Sequence, residues 1–167
     1  MEKLDWVREL VQAEQQMEES GVVDFNSVHS DELNLKDETV SFLKDLKNVF
    51  IEYVSEFNQL KGSQIGRVKI YGISQTDADF MLFRNGFKLI FTMREPGRVA
   101  IIFSFLATSF LGLNKASETP ATTLQEEMLE AQVGAFLKVS WSYQGQPFNT
   151  DNMVRYYLTR FIKESAR

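Results

Sequence analysis

Few side chains in this sequence are of a kind that does chemistry, and those few are scattered. Among 167 residues there is one histidine, His29, and no cysteine. That excludes thiolate nucleophiles, disulfides and cysteine-based zinc or iron–sulfur sites, and no site can draw on two imidazoles. A Ser-His-Asp triad would have to use His29, and no GxSxG stretch supplies its serine. His29 sits among the turn formers Asp24, Asn26, Ser27, Ser30 and Asp31 and reads as an exposed loop residue. Neither GxxxxGK[ST] nor GxGxxG occurs, so neither common phosphate cradle is encoded. The sequence therefore predicts no catalytic residue, no metal site, no cofactor and no enzymatic activity.

Carboxylates are the remaining candidates. Asp77 and Asp79 stand two apart before a strand and would point to one side. A hard cation needs more oxygens than the stretch Ile73 to Phe80 supplies, so the pair reads as turn and edge residues. Thr123-Leu124-Gln125-Glu126 fits a capping box, which predicts a short helix over 123–131. Glu126 and Glu130 would then repel slightly at i, i+4 and face solvent, with Glu127 beside them.

Basic residues cluster elsewhere. Residues 1–60 carry 5 basic and 14 acidic side chains, residues 61–100 carry 7 and 3, and the remainder 6 of each, which gives the net −5. Arg67, Lys69, Lys88, Arg94 and Arg98, with Tyr71 and Phe83 at strand positions, could hold phosphates and stack bases. The FRNGFKLIF segment lacks the glycine pattern of the usual RNA-binding strand, and the acidic overall balance argues against nucleic acid as a partner. The uneven charge reads instead as acidic helices on the outside and basic strand residues on an exposed sheet face.

The elements that would position these residues are legible from periodicity. Leu4, Val7, Leu10, Val11 and Met17 mark a thinly amphipathic helix over 2–19, closed by Gly21. Residues 21–36 read as a loop. Asp37 can cap a second helix to Lys61. In it Leu43, Leu46, Phe50, Tyr53, Phe57 and Leu60 step by threes and fours, a stripe wide enough to bury on a sheet or to pair with a second copy.

Strands follow. Arg67 to Ser74 alternates, and Phe80–Arg84 meets Phe87–Phe91 across Asn85-Gly86, the strongest short hairpin signal. A two-residue loop sets Arg84 opposite Phe87, Leu82 opposite Leu89 and Phe80 opposite Phe91. A three-residue turn at Glu95-Pro96-Gly97 would oppose Arg94 to Arg98 and align Phe91 with Ile101, Leu89 with Phe103 and Phe87 with Phe105. A loop over 107–122, the short helix, a strand from Val133 to Tyr143 and a final helix capped by Asn149 or Thr150 complete the chain. The expected order is α-α-β-β-β-β-α-β-α: a single α+β domain over 1–167, with residues 1–36 loosely docked and about five antiparallel strands packed by N- and C-terminal helices.

One sheet face collects Phe80, Leu82, Phe87, Leu89, Phe91, Ile101, Phe103 and Phe105. The other mixes Met81, Phe83, Ile90, Ile102 and Leu106 with Lys88, Asp79, Thr92 and Ser104, greasier than a solvated face should be. The sequence thus predicts a non-catalytic protein-binding, adaptor or chaperone-like domain that forms a homodimer. Its binding face would be Met81, Phe83, Lys88, Ile90 and Ile102, or Phe50, Tyr53 and Phe57 of the second helix. The alternative is a carrier of an apolar small molecule or lipid, its cavity lined by Phe80, Phe87, Phe91, Phe103 and Phe105. In architecture alone, helices flanking an antiparallel sheet, the chain is similar to the small acidic secretion chaperones; the extra N-terminal helix and the run of four strands depart from them. No stretch approaches the roughly 18 apolar residues of a membrane span, and no secretory signal is visible, so a cytoplasmic setting is expected.

Overall fold

The computed structural model describes residues 2–23, 34–73, 78–106 and 122–166. His29, Asp77 and most of the expected 107–122 loop lie outside them. The chain divides into two compact units, residues 1–34 and residues 35–167.

In the first unit, helix α1 spans Glu2–Ser20. The Gly21 N–H donates to the Met17 carbonyl at 2.8 Å and closes the helix as expected. Leu4, Trp6, Val7, Leu10 and Val11 of α1 are exposed.

In the second unit, α2 spans Leu35–Lys61 and α3 spans Thr150–Glu164. Between them lie β1 (Lys69–Gly72), β2 (Phe80–Arg84), β3 (Phe87–Glu95), β4 (Arg98–Leu106), β5 (Thr122–Val133), β6 (Val139–Tyr143) and β7 (Gln146–Pro147). They form one antiparallel sheet in sequence order, so the α+β class and the helices at both ends are as the periodicity predicts.

Three details differ from the sequence reading. Residues 123–131 are strand, not helix: β5 pairs with β4 over nine residues and with β6 on its other side. The capping-box pattern is local, whereas β4 presents a long edge whose backbone groups need partners, and that tertiary demand prevails. The expected strand from Val133 is broken by a 3-10 turn, Ala135–Leu137, with Phe136 and Leu137 at φ +57° and +61°. The β3–β4 turn is shorter than expected. Glu95 pairs with Arg98 across Pro96-Gly97, and a bulge between Met93 and Glu95 absorbs the extra residue. The Phe91–Ile101, Leu89–Phe103 and Phe87–Phe105 pairings are nevertheless those predicted, because a one-residue slip would turn every apolar side chain of the pair outward.

At Asn85-Gly86, φ is +53° and +85°, the conformation a two-residue primed turn demands. It produces the expected β2–β3 register from Phe80–Phe91 to Arg84–Phe87.

Both helices of this unit pack on one face of the sheet, the inner face. Leu43, Leu46, Phe50 and Val54 of α2 and Met153, Val154, Tyr157 and Phe161 of α3 join Phe80, Leu82, Leu89, Phe91, Val99, Ile101 and Leu129 in one core. Each fully buried side chain of this size stabilises by roughly 1.5–3 kcal/mol. Polar clamps fix the layers. The Thr39 hydroxyl donates to the Leu35 carbonyl at 2.6 Å and accepts from the Gly97 N–H at 2.8 Å, tying α2 to the β3–β4 turn. Asn58 both donates to and accepts from the Val68 backbone at 2.9 Å, setting the start of β1. Buried Arg84 donates to the carbonyls of Gly66 at 2.8 Å and Ile162 at 3.0 Å, and lies over the Phe57 ring at 5.5 Å. The Asn85 amide donates to Ser165 O at 2.7 Å, so the β2–β3 hairpin caps the C-terminal end of α3, where the dipole favours a cation.

Candidate functional site

Two surfaces of the second unit are candidates: the outer sheet face and a recess at the β5–β6 end of the inner face.

The outer face is assembled by register. Met81 lies opposite Ile90 and Ile90 opposite Ile102, giving an apolar strip across β2, β3 and β4. Phe83 pairs with Lys88 and Tyr71 with Met81. Tyr71 also meets the Phe83 ring edge-on at 6.4 Å. Met81, Phe83, Lys88, Ile90 and Ile102 are half-buried, and Tyr71 is exposed. These are the sheet-face residues the sequence singled out, and the structure brings them together on the side away from α2 and α3. The side chain of Leu106 is outside the described residues.

The face is electrically polarised. Lys69 and Lys88 stand toward β1 and the β2–β3 hairpin. Toward β5, Arg94 makes a two-pronged pair with Glu126 at 2.9 and 3.1 Å, and Arg98 bridges Glu130 at 3.2 Å and Glu95 at 3.3 Å. Two glutamates expected on a short solvated helix, Glu126 and Glu130, therefore neutralise two of the five residues of the expected basic cluster. Exposed pairs of this kind add little stability but cancel local charge.

Other expected positions are corrected. Phe50 has no exposed surface; it packs against Phe80 and Phe91 with ring centroids 5.9 and 5.0 Å away. It cannot meet a partner, because the α2 stripe is spent on its own sheet. Phe57 is half-buried beneath Arg84, and Tyr53, exposed, reaches Asp151 of α3 at 3.4 Å. The proposed ring-lined cavity is also corrected. Phe80 and Phe91 stack at 5.0 Å, Phe91 meets Tyr157 edge-on at 6.3 Å, and Phe87 and Phe103 are buried. These rings fill the space they were expected to surround. Phe105 holds its register opposite Phe87, and its side chain is outside the described residues. Asp79 is buried, with its carboxylate accepting from the Thr92 hydroxyl and from the Met93 N–H at 3.2 Å, a structural use. Among the described residues no group of acids or histidines is placed to hold a metal ion. No helix there is long and apolar enough to cross a membrane.

The recess was not anticipated. It has a volume of about 290 Å³ and is lined by Glu127 and Leu129 of β5, Tyr143 of β6, Phe148, and Asn149, Asn152, Met153, Tyr156 and Tyr157 at the start and inner side of α3. The Tyr157 hydroxyl donates to the Glu127 carboxylate. Burial first, then that bond and the charge of Glu127, push the Tyr157 phenol well above its ordinary 10.0. Tyr143 is raised by burial and then by the charge of Glu127. Tyr156 meets Tyr157 edge-on at 5.1 Å. The site depends on β5 being a strand, because only in a strand does Glu127 share the inner face with Leu129. The sequence signal that existed was the Tyr156-Tyr157 pair, where only Tyr157 fits the core stripe.

A second recess, of about 340 Å³ beside Gly62, is polar, but its Asn58 is committed to Val68 and its Arg67 to Gln64 at 3.2 Å. Compared with protein-family models, curated proteins and solved structures, the chain finds no match.

Proposed function

We propose that this protein is a non-catalytic binding domain, of adaptor or chaperone-like type, that associates with a second copy of itself through the outer sheet face, with a cytoplasmic setting as part of that reading. The observation that carries it is the Met81–Ile90–Ile102 strip with Phe83 and Tyr71, left partly open on the side opposite to both helices of its unit. An antiparallel face with one side on a core is normally polar on the other, and apolar patches of this kind mark contact surfaces. The charge layout favours self-association. A twofold axis lying between two facing copies and parallel to their strands sets the Lys69 and Lys88 end of one copy over the β5 end of the other, where Glu95, Glu126 and Glu130 outnumber Arg94 and Arg98, a self-complementary arrangement. Pairing of Arg94 and Arg98 with glutamates weakens a nucleic-acid reading.

Sedimentation velocity on the full chain tests this. The expected species has twice the monomer mass of 19.3 kDa, and Ile90→Asp returns it to monomer with an unchanged circular dichroism spectrum. A wild-type species at monomer mass overturns the proposal. So does an Ile90→Asp variant that unfolds, since the face would then belong to the interior.

A further inference from the structure

The recess between β5, β6 and α3 has the composition of a cation receptor. We infer that it binds a small organic cation with an alkylated ammonium group, of the choline or tetramethylammonium class.

Four aromatic side chains from three segments line it: Tyr143 from β6, Phe148 from the link after β7, and Tyr156 and Tyr157 from α3. The negative face of an aromatic ring attracts a cation, more strongly where water is partly excluded. Glu127 is the one charged residue in the lining. Its nearest cation, Arg160, is 3.9 Å away, sits over the Phe103 ring at 4.4 Å and is shared with Glu164 at 3.3 Å. Two carboxylates thus face one guanidinium, and a negative balance remains beside the rings. The upward shift of the Tyr143 phenol has the same electrostatic origin in part.

The nearby helix end does not favour an anion instead. The Asn152 N–H is taken by the Asn149 side chain at 3.1 Å and the Met153 N–H by the Asn149 carbonyl at 3.0 Å, while Asp151 occupies the first turn. A primary ammonium asks for three acceptors. The walls are mostly ring, Leu129 and Met153, and suit a charge spread over methyl groups. At about 290 Å³ the recess is near the lower limit of roughly 300 Å³ for pockets that take drug-sized ligands, which fits a headgroup better than a long chain. Its position on the inner side of the sheet keeps this inference independent of the self-association above.

Titrating the full chain with choline chloride and with tetramethylammonium chloride, read by calorimetry and by NMR shifts of the tyrosine rings, tests the inference. The control is 3,3-dimethylbutan-1-ol, the neutral carbon isostere of choline. Both cations are expected to bind saturably and the isostere at least about tenfold more weakly. Tyr156 is exposed, so Tyr156→Leu should fold and should weaken binding about five- to tenfold, the loss of one cation–ring contact. Glu127→Gln should weaken the cations and leave the isostere unchanged. Equal binding of the isostere, no saturation by either cation, or an unaffected Tyr156→Leu each overturns the site. Pelleting with phosphatidylcholine vesicles, abolished by Tyr156→Leu, would identify the source as a membrane headgroup; choline binding without pelleting would identify a free solute. Either source leaves the shared chemistry in place.

Discussion

On β3, Leu89 and Phe91 have no exposed surface, while Lys88 and Ile90, one step along the same strand, are half-buried. The two faces share backbone, register and hairpins. They differ in what lies over them: α2 and α3 pack on the inner face and not on the outer one. Apolar character alone does not tell the inner face from the outer, because Ile90 and Ile101 are the same residue type on opposite sides. The layer of helices is what assigns them.

The comparison can be broken most forcefully on the inner side. Phe91→Ala removes a ring packed against Phe50, Phe80 and Tyr157 and should cost about 3–5 kcal/mol in denaturant unfolding. Ile90→Ala, measured on monomeric protein in the same way, should cost on the order of 1 kcal/mol, since its site is only half-buried. Equal losses would mean that both faces are core. A step below Phe91→Ala, Arg84→Ala removes the guanidinium from the α3 terminus and leaves the carbonyls of half-buried Gly66 and Ile162 without it. A loss of about 2–4 kcal/mol is expected, with early fraying of the last turn of α3 in hydrogen exchange. No change in that turn would show that the hairpin does not hold the helix.

The smallest effect is a pH dependence. The Tyr157 phenol is raised above 10.0 in the folded chain by burial and by Glu127. The folded state therefore keeps a proton that the unfolded chain releases near that pH. Its contribution is full below about pH 10 and is lost as pH rises beyond it toward the folded value. Alkaline unfolding should be steeper in wild type than in Tyr157→Phe, and parallel curves would show that this phenol is not held protonated by the fold.

Much of this architecture was legible because its signals are local. Asn85-Gly86 fixes a two-residue loop, and the period of two then decides which residues share a face, so Met81, Phe83, Ile90 and Ile102 could be grouped without coordinates. The stripe of α2 was equally clear, but periodicity says which face is apolar and not what covers it. That is how Phe50 came to be considered for a partner surface. Residues 123–131 read as helix in sequence because TTLQEEMLE has good helix formers and a capping pattern, whereas the strand form is stabilised by β4 and β6, distant or later in sequence.

From the sequence by itself came the α+β class, the central hairpin with its register, the helix ends at Gly21 and Gly62, and the absence of thiol or two-histidine chemistry. Each rests on residue type or on spacing within a few positions. Tertiary structure alone decided that both helices of the second unit share one face, that Glu126 and Glu130 meet Arg94 and Arg98, and that Glu127 joins four aromatic rings around a recess. Those outcomes depend on backbone pairing between segments that meet only after folding, and a long edge strand seeking hydrogen-bond partners outweighs the helical preference of a dozen residues.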